Sequence, residues 1–214
     1  MPPGTSWRPA RGEPTATLLL RHGQTPMSVQ KRYAGRSDVP LTDTGVRQAA
    51  AAAKRLASAS LGVIVSSPLL RAVQTAQEVA AVNGAAVVTD DGFREADFGA
   101  WEGMTFAEVR ERWPAELATW LADPEVAPPG GESFTEVSAR VTAALHRVLA
   151  ARAGQTVLIV SHVTPIKTLV AAALLAPPAA LYRMHLDVAA LCQIDWYADG
   201  PAVLRSFNDT SHLS

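Results

Sequence analysis

The amino-acid sequence predicts an α/β fold in which helices flank both faces of a mostly parallel sheet. Short apolar runs, of which residues 15–20 and 156–160 are examples, are typical of strands buried on both faces of a sheet. Segments with helical periodicity separate these runs, and strands that alternate with helices form mainly parallel sheets. The 214 residues, of which 48% are apolar, are enough for one domain with a buried core.

The first part of the chain supplies three predicted strands and two predicted helices. They are, in order, a strand at 15–20, a helix at 42–59, a strand at 63–65, a helix at 68–82 and a strand at 87–88. Thr42 can cap the first helix, because its hydroxyl can accept a backbone N–H. Pro68 suits the first turn of the second helix, where the missing N–H is not needed, and Gly84 suits its end.

The second part begins with an irregular segment, residues 91–131, which we interpret as a helical insertion over the C-terminal edge of the strands. Ser133 and Glu136 then form the pattern of a capping box, which predicts the start of a long helix. The predicted elements are, in order, helices at 105–112, 114–122 and 133–152, a strand at 156–160, a helix at 164–175, and strands at 189–197 and 202–207.

Residues 1–14 are rich in proline, glycine and arginine, so we interpret them as a linker or disordered tail and place the folded domain at 15–214.

Composition limits the function classes that we expect. The net charge of -1 gives no general attraction to nucleic acid or membranes. No apolar run approaches the roughly 20 residues that span a bilayer, and we expect a cytoplasmic protein. The single cysteine, Cys192, excludes an internal disulfide and is expected in a buried strand.

Two of the five histidines share one context, an apolar run followed by a polar residue and then His. His22 follows Arg21 after the first strand, and His162 follows Ser161 after residues 156–160. Ligands of open α/β sheets bind in the crevice outside the carboxyl ends of the strands. We therefore expect both imidazoles at that crevice, and the alternative is a pair of structural histidines.

Two arginines indicate which chemistry such a site would perform. Arg21 adjoins His22, and Arg71 follows the second predicted strand by a few residues. Guanidinium groups beside imidazoles suit a phosphoryl group, whose transfer needs mainly positioning and charge neutralisation. The sequence has no GxxxxGK[ST] loop and no His/Cys/Asp grouping with metal-ligand spacing, so neither a metal nor another cofactor is expected.

The other histidines and the tryptophans of the irregular segment are expected to have structural or surface roles. His146 lies in a predicted helix, His185 follows one, and His212 lies in the C-terminal tail. Trp101, Trp113 and Trp120 are expected to pack the insertion against the sheet, and the alternative is that they cover the crevice.

Residues 20–25, the run LRHGQT, closely resemble the signature of the histidine phosphatase superfamily, also called the phosphoglycerate mutase-like family. The resemblance continues in the family's order at 32–42, 45–49, 66–76, 93–103, 129–133 and 160–162. It implies a phosphoglycerate mutase-like fold and a phosphohistidine intermediate on His22. It also implies that Glu95 donates the proton to the leaving oxygen and that Arg21, Arg71 and His162 surround the phosphoryl group.

The resemblance also places Gln24 and Thr25 among the substrate-binding residues, and it shows two departures. Ser28 stands where the family often has an asparagine that contacts phosphate, and Ser can still hydrogen-bond with a shorter reach. Val163 stands where the family usually has the first of two glycines, and its backbone N–H is expected to face the phosphate. Because His22 must be neutral and Glu95 protonated, we expect activity to be highest on the acidic side of neutral.

Within the superfamily, residues 97–103 and 160–167 are similar to the C-terminal phosphatase domain of actinobacterial bifunctional ribonuclease H/acid phosphatase proteins. That domain resembles α-ribazole-5′-phosphate phosphatases of cobalamin synthesis. The similarity implies a small phosphorylated metabolite as partner and an upstream ribonuclease H domain joined through residues 1–14. No nucleic acid or membrane is expected to bind residues 15–214.

Two other functions stay open at this point. One is a phosphoglycerate mutase, which returns the phosphoryl group to a substrate rather than to water. The short segment between Trp101 and Gly131 favours hydrolysis, because a mutase needs a larger cover over its site. The other is a phosphate-binding module without turnover, which would need neither the nucleophile His22 nor the acid Glu95.

Overall fold

The computed structural model describes residues 12–214, so residues 1–11 of the predicted tail lie outside the described part of the chain. The domain boundary at residue 15 and the upstream domain stay predictions. The strands are β1 Thr15–Arg21, β2 Leu61–Ser66, β3 Val87–Thr89, β4 Thr156–Ser161, β5 Leu191–Trp196 and β6 Ala202–Asp209. They form one sheet in the order β3-β2-β4-β1-β5-β6.

The α-helices are α1 Pro26–Val29, α2 Asp43–Leu56, α3 Leu70–Asn83, α4 Phe106–Arg112, α5 Pro114–Ala122, α6 Phe134–Ala151 and α7 Val163–Ala173. Local chemistry sets several of their ends. Thr42 caps α2 by accepting the N–H of Gly45, and Ser133 caps α6 in the predicted capping box. Helix α3 ends at Gly84, whose φ of 82° lies in the left-handed region that glycine adopts without strain.

Four neighbouring strands of the sheet run parallel. Strand β1 pairs with β4, β4 with β2, and β2 with β3, all in parallel. Strands β5 and β6 are antiparallel, β5 to β1 and β6 to β5. The prediction of a mostly parallel sheet is therefore confirmed, and the two late strands form a hairpin that needs no crossover helix.

Helices cover both faces of the sheet, as predicted. The side chains of Leu20, Ile64 and Leu158 are fully buried in a cluster with residues of α2 and α3. The side chains of Leu19 and Ile159 point to the other face, where they pack with α6, α7 and the segment between β3 and α6. Adjacent strand residues point to opposite faces, so the apolar runs supply two cores at once.

Three predicted helices have wrong ends, among them the helix predicted at 164–175, which is Val163–Ala173 in the structure. The helix predicted at 68–82 begins at Leu70, not at Pro68, because the N–H of Ser67 still donates to Val160 (2.9 Å) and Leu69 is extended with ψ of 135°. The helix predicted at 42–59 ends at Leu56. Helix α1 was not predicted, since four residues carry no measurable periodicity.

The segment 91–131 is a helical insertion, as predicted, and it holds α4 and α5. Trp101 is fully buried and Trp120 is nearly so, both in the cluster that includes Leu19 and Ile159 of the sheet. Cys192 is buried in β5, and burial raises the pKa of its thiol to about 11. Within residues 12–214, no helix combines the length and the apolar character that crossing a bilayer requires.

Candidate active site

The two histidines meet because their strands are neighbours. Strands β1 and β4 pair in parallel with Arg21 opposite Ser161, so His22 and His162 leave the sheet at the same edge. The N–H of His22 donates to the carbonyl of Ser161 (3.1 Å), which extends the pairing by one residue. The two ring centroids lie 5.1 Å apart. The two imidazoles therefore meet as predicted, but only His22 lines the cavity.

The ring of His22 is held in one tautomer. Its Nδ1 lies 2.8 Å from the carbonyl oxygen of Gly23, and a carbonyl can only accept, so Nδ1 carries the proton. Nε2 then holds a lone pair, and within residues 12–214 no hydrogen bond occupies it. Burial lowers the pKa of His22 well below its usual value, and the positive charges of Arg71 and Arg21 lower it further. The ring is 6% exposed, and it lines a cavity.

Gly23 fixes the loop after His22 by a close approach of two backbones. A Cβ on Gly23 would lie 2.4 Å from the carbonyl oxygen of Gly45 in α2, far inside contact distance. The N–H of Gly23 donates to the hydroxyl of Thr75 in α3 (3.2 Å). The loop after His22 thus rests directly on α2 and α3.

His162 is fully buried behind this loop and does not line the cavity. The Nε of Arg71 donates to its Nδ1 (3.2 Å), so the proton sits on Nε2, which donates to Oγ of Ser67 (2.7 Å). Burial, followed by the charge of Arg71, lowers the pKa of His162 well below its usual value. Both ring nitrogens therefore have protein partners.

Arg71 has a different position from the one the sequence predicted. Its Nη1 donates to the carbonyl of Ser37 (2.7 Å), and its Nη2 donates to the carbonyls of Ala34 (2.8 Å) and Gly35 (3.0 Å). It does not line the cavity. Burial lowers the pKa of its guanidinium, although the charge of Glu95 partly opposes this. Arg71 holds His162 and the 34–37 loop, and its direct contact with a phosphoryl group stays a prediction.

Arg21, unlike Arg71, lines the cavity. Its Nη1 donates to the carbonyl of Leu186 (2.6 Å), while its Nε is buried without a hydrogen-bond partner. Burial lowers the pKa of Arg21 to about 10, against the opposing charges of Glu95 and Asp187. Buried N–H groups in proteins are almost always paired. An unpaired guanidinium N–H beside His22 is therefore a ready donor to an oxyanion.

Glu95 lies at the N-terminus of α7. Its carboxylate accepts the N–H groups of Ala96 (2.8 Å), Val163 (3.0 Å) and Thr164 (3.2 Å). A carboxylate is stabilising at a helix N-terminus, where backbone N–H groups lack helical partners. The N–H of Val163, which the sequence led us to expect against the phosphate, is therefore occupied by Glu95.

The loop before Glu95 is fastened by a residue that sequence reasoning missed. Arg140 of α6 donates to the carbonyls of Gly92 (3.0 Å), Arg94 (2.8 Å) and Glu95 (2.9 Å). Its Nε also donates to the carboxylate of Glu132 (2.8 Å). Five guanidinium donors suit such a cluster of carbonyls, but a helical arginine gives no such signal in a sequence.

Of the other residues predicted to bind substrate, some line the cavity and some do not. Thr25 and Ser28 line the cavity, but both hydrogen bonds of the Ser28 hydroxyl go to the backbone N–H and carbonyl of Thr25 (2.9 Å each). Gln24 lies outside the cavity, where its side chain accepts the hydroxyl of Thr42 (2.9 Å). The substrate-binding roles of all three stay predictions. His185, 81% exposed at its side chain and paired with Asp187, does not line the cavity.

The cavity above His22 has a volume of about 360 Å³. Its inner end is polar, with Arg21, His22, Thr25 and Glu95, whereas its outer part is mostly apolar. We use the name aromatic wall for six side chains of the outer part: Tyr33, Phe98, Phe106, Trp120, Phe134 and Tyr182. Lys167 also reaches the cavity. Among residues 12–214, no group of three or more His, Cys, Asp or Glu is arranged to hold a metal ion.

Comparison with known families supports the family resemblance that the sequence shows. Residues 17–210 match the family described as Histidine phosphatase superfamily (branch 1). The chain belongs to this superfamily. The resemblance and the phosphoglycerate mutase-like fold predicted from the sequence are thus confirmed, and this superfamily member is a phosphatase or a mutase-type enzyme.

Two curated relatives differ in their names. "Bifunctional protein Rv2228c" of Mycobacterium tuberculosis (strain ATCC 25618 / H37Rv) is 49% identical over 213 residues, which are 99% of this chain and 58% of that protein. The chain thus spans 58% of the length of this relative. "Probable phosphoglycerate mutase GpmB" of Proteus mirabilis (strain HI4320) is 36% identical over 204 residues, which cover 92% of this chain and 94% of that protein.

Two solved structures of phosphatases have similar folds. Mycobacterial glucosyl-3-phosphoglycerate phosphatase Rv2419c in complex with VO3 has a TM-score of 0.85 and 31% identity, and the match covers 92% of this chain and all of that one. A proposed alpha-ribazole-5'-P phosphatase from Escherichia coli str. K-12 substr. MG1655 has a TM-score of 0.84 and 27% identity, with 92% and 97% covered. These similar proteins are named for different substrates, so similarity alone does not give the substrate of this one.

Proposed function

We propose that this chain is a metal-independent acid phosphomonoesterase that works through a phosphohistidine at Nε2 of His22. One observation carries the proposal. Nε2 of His22 holds a lone pair in a cavity that Arg21 also lines, and the Nε–H of Arg21 is buried without a hydrogen-bond partner. A nucleophile beside an unpaired cationic donor suits attack on a phosphoryl group whose oxygens that donor binds.

The proposed reaction has two steps. Nε2 of His22 attacks phosphorus, the ester P–O bond breaks, and the leaving oxygen takes a proton from Glu95. Water then attacks the phosphorus while the Glu95 carboxylate accepts a proton from it, and the P–N bond breaks to release inorganic phosphate. Glu95 and His22 line the same cavity, which lets one carboxyl group act as acid and then as base.

We propose an α-ribazole-5′-phosphate phosphatase type of specificity, with a role in cobalamin synthesis. The sequence similarity at 97–103 and 160–167 supports it, as does the likeness to a solved structure of that description. The outer part of the cavity has room and apolar surface for a substituent larger than a glycerate. The named mutase relative makes phosphoryl transfer to a second substrate the competing function.

The test is release of inorganic phosphate between pH 4 and 8 in the presence of EDTA. The substrates are a chromogenic phosphomonoester, α-ribazole-5′-phosphate and 3-phosphoglycerate. We expect turnover that peaks below neutral pH, and a loss of at least about a thousandfold in His22→Ala. The matched control is His146→Ala, which changes an exposed histidine of α6.

Three results would contradict parts of the proposal. Full activity in His22→Ala would exclude the phosphohistidine. Activity that needs an added divalent metal would exclude the metal-independent reaction. Conversion of 3-phosphoglycerate to its isomer without phosphate release would establish the mutase instead.

A further inference from the structure

Lys167 reaches the cavity from the same helix that holds Glu95. It lies four residues after Val163 and three after Thr164 in α7, and residues at these spacings share one face of a helix. All three residues line the cavity. Lys167 therefore lines the cavity on the same helix face as the residues whose N–H groups bind Glu95.

The ammonium group of Lys167 has hydrogen-bonding capacity that the protein leaves unused. Nζ carries three donors, and one of them binds the carbonyl of Leu181 (3.2 Å). Within residues 12–214, no carboxylate lies at salt-bridge distance from Nζ. Burial lowers the pKa of Lys167, and the negative charge of Glu95 opposes this effect. A half-buried cation with free donors needs an acceptor, and a bound substrate can supply one.

The other cation of the outer part is already paired. Nη1 of Arg32 donates to the carboxylate of Glu108 (2.9 Å) and to the carbonyl of Gly103 (2.8 Å), and its Nε donates to Gln30 (3.0 Å). Arg32 is therefore engaged by the protein, whereas Lys167 still has donors to offer to the leaving alcohol.

The aromatic wall is preformed by ring contacts. Trp120 packs against Phe134 and Tyr182 with centroid distances of 5.1 and 6.1 Å, and Tyr33 packs against Phe98 at 4.8 Å. The hydroxyl of Tyr182 donates to the carbonyl of Trp120 (2.6 Å), so it is not directed to a ligand. Aromatic faces favour a planar or apolar ligand group.

The mouth of the cavity leaves apolar surface exposed to water. Phe106 is 44% exposed and Leu121 is 42% exposed, and both line the cavity. A leaving group that covers them gains hydrophobic free energy. A carboxylate would lose its hydration against this surface. The site thus favours an uncharged leaving alcohol.

We infer that Lys167 is the specificity-determining residue for the leaving alcohol: it donates to an uncharged oxygen near the ester bond, while the aromatic wall binds an apolar, ring-bearing remainder. This inference rests on the proposed hydrolysis at His22. The substrate class is a phosphomonoester of an alcohol that combines such an oxygen with a planar ring.

The experiment compares kcat/KM of the wild type, Lys167→Met and Lys167→Arg on three esters. α-Ribazole-5′-phosphate has a ring and uncharged oxygens, 1-naphthyl phosphate has a ring alone, and 3-phosphoglycerate has a carboxylate and no ring. In Lys167→Met we expect a loss of about 10- to 100-fold on the first ester, the value of one charge-assisted hydrogen bond. On 1-naphthyl phosphate we expect a change below about threefold, and Lys167→Arg should recover part of the loss.

The wall is tested with variants at its exposed edge, which avoid damage to the core. Phe106→Ala and Leu121→Ala should raise KM for both ring-bearing esters by about 3- to 10-fold, as expected for lost apolar contact. The control is Leu175→Ala, which removes a leucine that is 83% exposed outside the cavity. Unchanged KM values in both Phe106→Ala and Leu121→Ala would overturn the part of the inference that places an apolar, ring-bearing group in the outer part of the cavity.

Each other outcome has a defined meaning. If Lys167→Met loses most on 3-phosphoglycerate, Lys167 binds a carboxylate and the inference is wrong. Equal losses on all three esters would give Lys167 a role at the phosphoryl group instead, and no loss on any of them would remove its role in specificity. Failure of the wild type to hydrolyse any ester would count against the proposed function itself. The experiment thus distinguishes failure of the proposed function from failure of the inference about Lys167.

Discussion

At the scale of single residues, the site keeps two histidines neutral next to two arginines. His22 and His162 are buried, and burial together with Arg71 and Arg21 lowers the pKa of both. A neutral His22 remains a nucleophile in mildly acid solution, where an ordinary histidine would be protonated. This supports the predicted acid optimum, because the nucleophile does not limit the rate there.

The same burial predicts how stability depends on pH. The pKa of each histidine is lower in the folded state than in the unfolded state. Below about pH 6.5 the unfolded chain therefore binds more protons, and the free energy of unfolding decreases as the pH falls. The expected slope is up to ~1.4 kcal/mol per pH unit for each histidine. Urea unfolding between pH 6.5 and 5 measures it, and His162→Gln should reduce the slope while His146→Ala leaves it unchanged. Equal slopes in wild type and His162→Gln would refute this assignment.

Residue roles were predicted from the sequence only where position in the fold decides them. His22 and His162 each follow a strand, and that alone brought them together. Ser28 lines the cavity as expected, whereas Arg71 lies outside the cavity against His162. Protein groups accept hydrogen bonds from both side chains, and a sequence does not show such partners. Lys167 lay inside the quoted run 160–167, and its spacing from Val163 was the one signal that could have found it.

At the scale of secondary structure, the position of His22, the proposed nucleophile, depends on how α2 meets the loop after β1. Gly45 lies in the first turn of α2, and a Cβ there would be 2.1 Å from the carbonyl oxygen of Gln24. Gly23 approaches Gly45 from the other side. The two glycines allow a distance between backbones that no side chain would permit.

Gly45→Ala should therefore damage both stability and activity. Alanine in a helix gains about 1 kcal/mol over glycine, but overlap with a backbone oxygen costs about 1–3 kcal/mol or more. We expect a net loss of stability and a fall in kcat/KM of at least about tenfold, because His22 moves with the loop. Chemical denaturation and phosphate release measure the two effects. The control is Val46→Ala, at an exposed neighbouring position in the same helix; a Gly45→Ala protein with wild-type activity would exclude the tight contact.

The ends of helices and the directions of strands show which structural features a sequence pattern predicts correctly and which it does not. The capping pair Ser133 and Glu136 predicted the start of α6 correctly because its chemistry is local. Pro68 was misleading, since pairing of Ser67 with β4 keeps the chain extended for longer than a proline pattern suggests. The antiparallel direction of β5 and β6 also depends on distant pairing, and their short apolar runs do not show it.

At the scale of the whole molecule, the site joins parts of the chain that are far apart in sequence. The histidines follow strands β1 and β4, and α7 supplies Lys167 and the N–H groups for Glu95. The insertion supplies three of the six rings of the aromatic wall, Phe98, Phe106 and Trp120. Fold class and the inner end of the cavity followed from the sequence. The outer part did not, because Phe106 and Trp120 reach the cavity through the packing of an irregular segment.

A phosphate ion that binds this assembled site should stabilise the whole fold. A ligand that binds only the folded state adds RT ln(1 + [L]/Kd), which is about 2.7 kcal/mol at a concentration of 100 Kd. We expect inorganic phosphate to raise the Tm of the wild type at constant ionic strength. Arg21→Met should lose this shift, because it removes the unpaired donor at the inner end of the cavity. Thermal melts in sulfate-free buffer measure this shift, with chloride in place of phosphate as the control at each ionic strength. An equal shift of Tm in the wild type and in Arg21→Met would show that phosphate binds outside this cavity.

The unpaired Nε of Arg21 also bears on the kinetics of the proposed reaction. A donor that is buried and waiting for an oxyanion binds the oxygens of an ester and those of free inorganic phosphate alike. We therefore expect inorganic phosphate, the product, to inhibit the proposed reaction. The tighter the cavity holds phosphate, the more the release of that ion, rather than bond cleavage, governs turnover.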